Sequence, residues 1–426
     1  MRVHQLLPRF EAGDAVSNMA LDIRQTLAAR GIESRIFAHS LDEFGRREGE
    51  PESAYAALGG SSEDVLIYHY SLWCDNIKLF EESSNRKVVV YHNITPPQFF
   101  DAFEPAVAQQ CRQGREALPR LAAADLGLGV SDYNRRELVA AGLPEQRSGI
   151  LPIHPRVERL DAVAPDLELE RGLSDGKANL LFVGRLVPNK RVEDLIRLFY
   201  YFHRCVNSAS RLILAGGPMY SYILRLQRLV AELGIQGRVL FLGKVSEPEL
   251  AALYRSARAY LCMSEHEGFC VPVLEAFHFG IPVMAYAAGA VPETMGRAGV
   301  LFDEKDIPLL AEMLQRLVSD KELRRETAAV QRERLARYSW ERFEARLLAH
   351  LEPFTGPLDG AVAVTPVEPE PEPETTGEAA GEPEPADGEE SEDTAKDADA
   401  VERPEDEPEA DAAQVEGAAV AEEEPE

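Results

Sequence analysis

At 426 residues the chain exceeds what one hydrophobic core ordinarily supports, so two domains are expected. Most of its net charge of −28 sits at one end: residues 361–426 hold 25 Asp plus Glu against two Lys plus Arg, leaving about −5 for the rest. This acidity argues against nucleic-acid binding through net charge, and no run of about twenty apolar residues is present to span a membrane.

From the first residue onward, Met1–Pro8 meets proline and then charge too early for the apolar region of a signal peptide. Cys74, Cys111, Cys205, Cys262 and Cys270 are odd in number and lack paired metal-ligand spacing, which suits reduced thiols and a cytoplasmic setting. Short apolar runs at Val3–Leu7, Ser34–Ala38, Val65–Tyr68, Lys87–Tyr91 and Leu126–Val130 alternate with helix-period stretches such as Ser17–Arg30, which Gly31 closes. That alternation predicts strand–helix units around a parallel sheet. The run Lys87–Tyr91 delivers His92 to a sheet end, and Ser131 reads as a helix N-cap rather than a nucleophile.

The pattern pauses after Leu151–Pro155, and a charged, weakly periodic linker is expected over 156–176. It then restarts at Asn179–Val183, Arg211–Ala215, Val239–Leu242, Ala259–Met263 and Val283–Tyr286. The organisation expected is an α/β chain of two Rossmann-like domains, 1–155 and 177–338, with parallel sheets facing across a ligand cleft. A terminal helix over 339–354 and a disordered acidic tail over 355–426 complete it, since a segment so poor in apolar side chains cannot offset its ordering entropy.

Two segments carry chemistry. In Leu180–Lys190, a buried-type strand runs through a glycine turn, placing Arg185 and Lys190 past the strand end where they can neutralise a diphosphate. In His266–Gly280, Pro272 suits a first helical turn and Gly280 a helix end, so the loop before it aims free N–H groups at an anion. Glu267 in that loop and Glu275 in the helix are strong acceptors for hydroxyls at two ends of one elongated ligand. Taken singly, each of these residues reads as an ordinary surface charge; the combination is what points to a site.

From about Asn179 to Gly299 the sequence resembles the donor-binding domain of glycosyltransferase family 4, the retaining enzymes of GT-B fold. The matching pieces are Val183-Gly184-Arg185-Leu186 with Lys190, Leu214-Ala215-Gly216-Gly217-Pro218, Phe241-Leu242-Gly243, the E-x(7)-E from Glu267 to Glu275, and Gly280-Ile281-Pro282-Val283. The resemblance implies a hexosyltransferase using a GDP- or UDP-sugar, of mannose or glucose type, and a glycan or lipid-linked acceptor. Donor contacts would come from Gly13, Arg185, Lys190, Gly216, Glu267, Gly268, Phe269, Cys270 and Glu275. Glu267, with the Gly268 and Phe269 amides, would serve the sugar, and Glu275 the ribose. His92 would sit beside the reacting sugar; a merely structural histidine is the alternative.

No cofactor and no required metal are expected, since the body lacks an Asp-x-Asp element and the only such spelling, Asp397-Ala398-Asp399, falls in the tail. Arg112, Arg115, Arg120, Arg135 and Arg136 read as a solvated surface before a face for an anionic lipid, with peripheral association at the inner membrane face left open. A GT-B sugar-nucleotide epimerase and a non-catalytic scaffold acting through its tail are the alternative functions.

Overall fold

The computed structural model describes residues 1–58 and 60–357. From residue 358 onward the acidic tail, with Asp397-Ala398-Asp399, lies outside the described residues.

Seven strands form the first sheet: β1 (Val3–Phe10), β2 (Ile36–Leu41), β3 (Glu50–Pro51), β4 (Val65–Tyr70), β5 (Arg86–Tyr91), β6 (Leu126–Gly129) and β7 (Ser148–Ile150). All pairs are parallel, in the order β3-β2-β1-β4-β5-β6-β7, with Gln5 opposite Ile36 and Val3 opposite Val65. Six more strands make the second: β8 (Ala178–Val183), β9 (Ser210–Ala215), β10 (Val239–Gly243), β11 (Ala259–Cys262), β12 (Val283–Tyr286) and β13 (Val300–Phe302). Their order is β10-β9-β8-β11-β12-β13, again all parallel. Parallel strands covered by helices on both faces are largely buried, which is why β4 and β8 read as nearly continuous apolar runs, and β1 is buried at every position but Arg9. In each sheet the winding reverses beside the first strand, between β1 and β4 and between β8 and β11, and a crevice opens at the carboxyl ends there.

The expected linker 156–176 is more ordered than its charge suggested. It holds two short helices, Glu158–Ala162 and Leu167–Leu173, the second capped by Asp166, whose side chain accepts from the Glu168 and Leu169 amides at 3.0 and 2.9 Å. Leu160 and Leu173 are buried, and the Asp166 amide donates to Pro248 O. One apolar anchor per short helix is too little periodicity to read from sequence. The last helix, Trp340–Thr355, packs against the first sheet's side of the molecule: Glu344 pairs with Arg30 at 2.8 Å, His350 Nε2 donates to Ile150 O at 3.1 Å, and Arg86 donates to Phe354 O. Among the described residues no helix is long and apolar enough to cross a membrane.

Candidate functional site

A cleft of about 1440 Å³ opens between the two sheets and is lined from both sides. The loop after β1 contributes Gly13, in the left-handed region at φ 77°, next to Asp14, which caps the helix Ala15–Ala28 by accepting from the Ser17 amide at 2.9 Å. Opposite, Gly184 and Gly216 immediately follow β8 and β9. Gly216 has φ 146°, and a Cβ there would stand 1.9 Å from the carbonyl oxygen of Gly184, so only glycine lets these strand ends form one backbone wall. Arg185 lies on this wall, exposed, and its side chain makes no hydrogen bond or ion pair among the described residues. Arg9 and Lys244 line the same cleft and likewise have no ion pair among the described residues. Three uncommitted cations around glycine-built turns suit a diphosphate.

A second cluster lies beside this one, off the cleft lining. Lys190 ends a 3-10 turn, and its Nζ donates to Glu267 Oε1 at 2.5 Å; their side chains are 19% and 9% exposed. Burial opposes the Lys190 charge, but Glu267 and the neighbouring Cys270 outweigh it and hold the ammonium above its ordinary pKa. Glu267 Oε2 keeps no hydrogen-bond partner among the described residues. The helix that follows is Val271–His278 with proline in its first turn, and the Gly268, Phe269 and Cys270 amides before it donate to no described residue. Such a helix start favours an anion.

Glu275 lies deeper than a ribose contact would suggest. It is 3% exposed, accepts from Tyr254 Oη at 2.7 Å through one oxygen and pairs with Arg159 through the other. Arg159 also reaches Glu247 at 3.1 Å and itself lines the cleft. Arg159 thus stands between Glu275 and the open space of the cleft.

Glu267's loop meets the N-terminal half at Gly268. A Cβ there would fall 2.6 Å from Asn93 Cβ and 3.1 Å from His92 O, so the contact requires glycine. Asn134 Nδ2 donates to Gly268 O at 3.1 Å, Asn93 Nδ2 to Asn134 Oδ1 at 2.8 Å, and His266 Nε2 to Asn93 Oδ1 at 2.5 Å. Glu293 accepts from the Asp132 and Tyr133 amides at the start of the helix Asp132–Ala140, across the same junction. His92 is thus set beside the loop that carries Glu267, although it lies 175 positions away in the chain.

The protonation pattern at His92 follows from its neighbours. Gln5 Nε2 donates to Ala20 O at 3.0 Å, so Gln5 Oε1 accepts from His69 Nε2 at 2.9 Å. That leaves a lone pair on His69 Nδ1, to which His92 Nε2 donates at 3.0 Å. His92 Nδ1 is consequently an acceptor, and it is buried with no hydrogen-bond partner among the described residues. Burial lowers the His69 pKa to about 3 and takes His92 well below its ordinary value. An unfolded chain takes up a proton at His69 near pH 6.5 while the folded one refuses it until about pH 3. Folding stability should therefore fall as pH drops through that window, by up to about 1.4 kcal/mol per unit from this residue. Urea melts at pH 7 and pH 5 should show a smaller difference for His69→Gln than for the parent; equal slopes would contradict the assignment.

Of the residues expected from sequence, Gly13, Arg185 and Gly216 line the cleft; beside it lie the buried Glu267, Phe269, Cys270 and Glu275 with the half-buried His92, Lys190 and Gly268. Arg9, Lys244, Arg159, Gln5 and His69 were not anticipated. The last two left a trace, as polar residues inside the apolar runs of β1 and β4. The arginines weighed as a lipid face are paired with carboxylates: Arg112 with Asp101, Arg115 with Glu137, Arg120 with Glu81, and Arg135 and Arg136 with Asp132.

Residues 166–334 match the family of glycosyl transferases group 1, a span that contains Arg185, Lys190, Gly216, Glu267 and Glu275. Over this segment the chain is similar to the group 1 glycosyl transferases. The chain is 27% identical over 267 residues to O-antigen chain mannosyltransferase B of Escherichia coli, covering 60% of this chain and 67% of that protein. It is 34% identical over 215 residues to D-inositol 3-phosphate glycosyltransferase of Mycolicibacterium smegmatis, covering 48% and 47%. With the latter and most other curated relatives it matches, the alignment spans about half of the relative's length. Among solved structures, Anabaena HepE in complex with UDP and glucose superposes with a TM-score of 0.66 at 16% identity, over 83% of this chain and all of that one. WaaG, a glycosyltransferase involved in lipopolysaccharide biosynthesis, gives 0.59 at 16% identity over 83% and 100%. The matched segment is accordingly one half of a two-sheet GT-B fold, and the first sheet completes it.

Proposed function

We propose that the chain is a retaining glycosyltransferase that moves a hexose of mannose or glucose type from a GDP- or UDP-sugar to a glycan, lipid-linked or other small acceptor. The observation that carries this reading is the juxtaposition of the Lys190–Glu267 pair and the open amides before Val271–His278 with His92 of the other half. Beside them lies a cleft whose uncommitted cations are Arg9, Arg185 and Lys244. The similarity to mannosyltransferase B and to the inositol phosphate glycosyltransferase supports the same class.

The diphosphate would lie along the glycine wall, its charge met by Arg185, Arg9 and Lys244, with Gly13 opposite. Glu267 Oε2 and the Gly268, Phe269 and Cys270 amides would take the sugar hydroxyls and the inner phosphate. His92 Nδ1 would accept from a sugar hydroxyl, with its tautomer fixed by His69 and Gln5. The nucleoside would reach toward Arg159 and, on its displacement, Glu275. As the C1–O bond breaks, negative charge grows on the departing phosphate, where fixed cations and amides stabilise it. The acceptor oxygen attacks from the same face, and its proton passes to the leaving phosphate oxygen, so no protein nucleophile is required. Positioning of the two substrates would supply much of the acceleration. The reaction would take place in the cytoplasm, with peripheral association at the membrane when the acceptor is lipid-linked.

With the charge of the leaving group assigned to side chains, nucleotide release should persist within about twofold in a chelator, an expectation that rests on these cations replacing a divalent ion. The product is expected to keep the anomeric configuration of the donor, as read by the anomeric proton coupling. An inverted product, or turnover abolished by chelation and restored by magnesium, would overturn this mechanism.

A further inference from the structure

Cys262 closes β11 and Cys270 stands immediately before the helix Val271–His278, with the whole Glu267 loop between them. Their sequence spacing shows no ligand pattern. The fold nevertheless brings both sulfurs and a Glu267 carboxylate oxygen within 4.8 Å of one another, and exposures of 1%, 8% and 8% mark all three residues as buried. Cys262 Sγ also donates to Ser264 Oγ at 3.2 Å. Cys270 occupies a left-handed φ of 75°, which disfavours any residue with a Cβ, so its thiol is retained at some cost to the backbone.

Two sulfurs and one carboxylate are a suitable donor set for a borderline-soft divalent ion, which takes thiolates at about 2.3 Å and carboxylates at about 2.0–2.2 Å in a four-coordinate shell. Charge balance supports occupancy. With neutral thiols, the Lys190–Glu267 pair leaves the pocket uncharged. Binding of one divalent cation with loss of two thiol protons leaves it uncharged again, so neither state buries a net charge.

We propose that Cys262, Cys270 and Glu267 form an inhibitory site for a thiophilic divalent cation, zinc in the first instance, whose occupancy excludes the sugar donor. Two S–H bonds are exchanged for two Zn–S bonds, the two protons go to solvent, and no redox partner takes part. Glu267 is turned from sugar ligand to metal ligand, so the ion and the donor compete for one carboxylate. The inhibition rests on the glycosyltransferase reading; the metal binding does not.

The full chain, reduced with a phosphine and stripped with chelator, is titrated first with cobalt(II) without donor. A near-ultraviolet thiolate-to-cobalt band should saturate at one ion per chain and be lost in both Cys262→Ser and Cys270→Ser. Cys74→Ser, which alters the separate His39, Glu52 and Cys74 group, should leave the band in place. One equivalent of zinc should then slow nucleotide release at least tenfold, reversibly on adding chelator. Cys262→Ser should keep at least half of the parent turnover and lose zinc sensitivity. If serine at 262 unfolds the chain, protection of Cys262 and Cys270 from alkylation by zinc, located by peptide mass, reads the same site in the parent. A band that survives both substitutions, zinc that protects neither thiol, or inhibition unchanged in Cys262→Ser would overturn the proposal.

Discussion

Glu267→Ala is expected to slow turnover by about 10²–10³-fold, the usual scale for removing one group that meets developing charge or orients the reacting sugar. It should also destabilise the fold by about 3 kcal/mol, because the Lys190 ammonium, 19% exposed, is left largely buried without its carboxylate. Lys190→Ala leaves the opposite charge unpaired and should cost a similar amount. The double variant removes both charges, so its melting point should recover toward the parent while its turnover stays as low as that of Glu267→Ala. This separation of stability from rate distinguishes a catalytic pair from a structural ion pair. A double variant that regained turnover, or a Glu267→Ala enzyme within threefold of the parent, would assign the pair to the fold alone.

Arg185→Ala should behave in the opposite way. The Arg185 side chain is exposed and makes no hydrogen bond or ion pair among the described residues, so its loss should leave thermal stability unchanged. Donor affinity should fall by about 10–100-fold, the worth of a charge-assisted hydrogen bond to phosphate. Lysine at this position keeps the charge but not the planar fork, and should restore only part of the loss. Arg9→Ala and Lys244→Ala should give smaller losses of the same kind, since each is one of several cations around the same group. Calorimetric titration with the free nucleoside diphosphate isolates the effect, and equal affinity in Arg185→Ala and parent would move the phosphate away from the glycine wall.

The sheets were legible where strands are long and buried on both faces: the apolar runs of β4, β5, β8 and β9 leave little else to read. By contrast β3, β7 and β13 hold two or three residues each, too few to show alternation or an apolar run. The E-x(7)-E spacing correctly located a loop–helix unit, but it could not reveal what each carboxylate touches. Glu275 is held by Arg159, 116 positions earlier, and Glu267 by Lys190, 77 positions earlier, and such pairings depend on strand order rather than on local pattern. The His92 relay was half visible. Gln5 and His69 interrupt otherwise apolar strands, which marks buried polar residues in need of partners, yet only the pairing of β1 with β4 and β4 with β5 shows that they serve each other. Arg9, near the end of β1, and Lys244, just past β10, gave no signal in sequence, since lone cations at strand ends resemble ordinary surface charge.

The central claim, that this cleft holds a nucleotide-sugar donor, is tested most directly by a panel of UDP- and GDP-hexoses read by thermal shift on the parent chain and on Arg185→Ala. At least one donor should raise the parent melting point by several degrees, as ligand binding to the folded state alone must, and the same donor at the same concentration should raise that of Arg185→Ala much less. A panel in which no nucleotide sugar shifts the parent, or in which both proteins shift equally, would contradict the account.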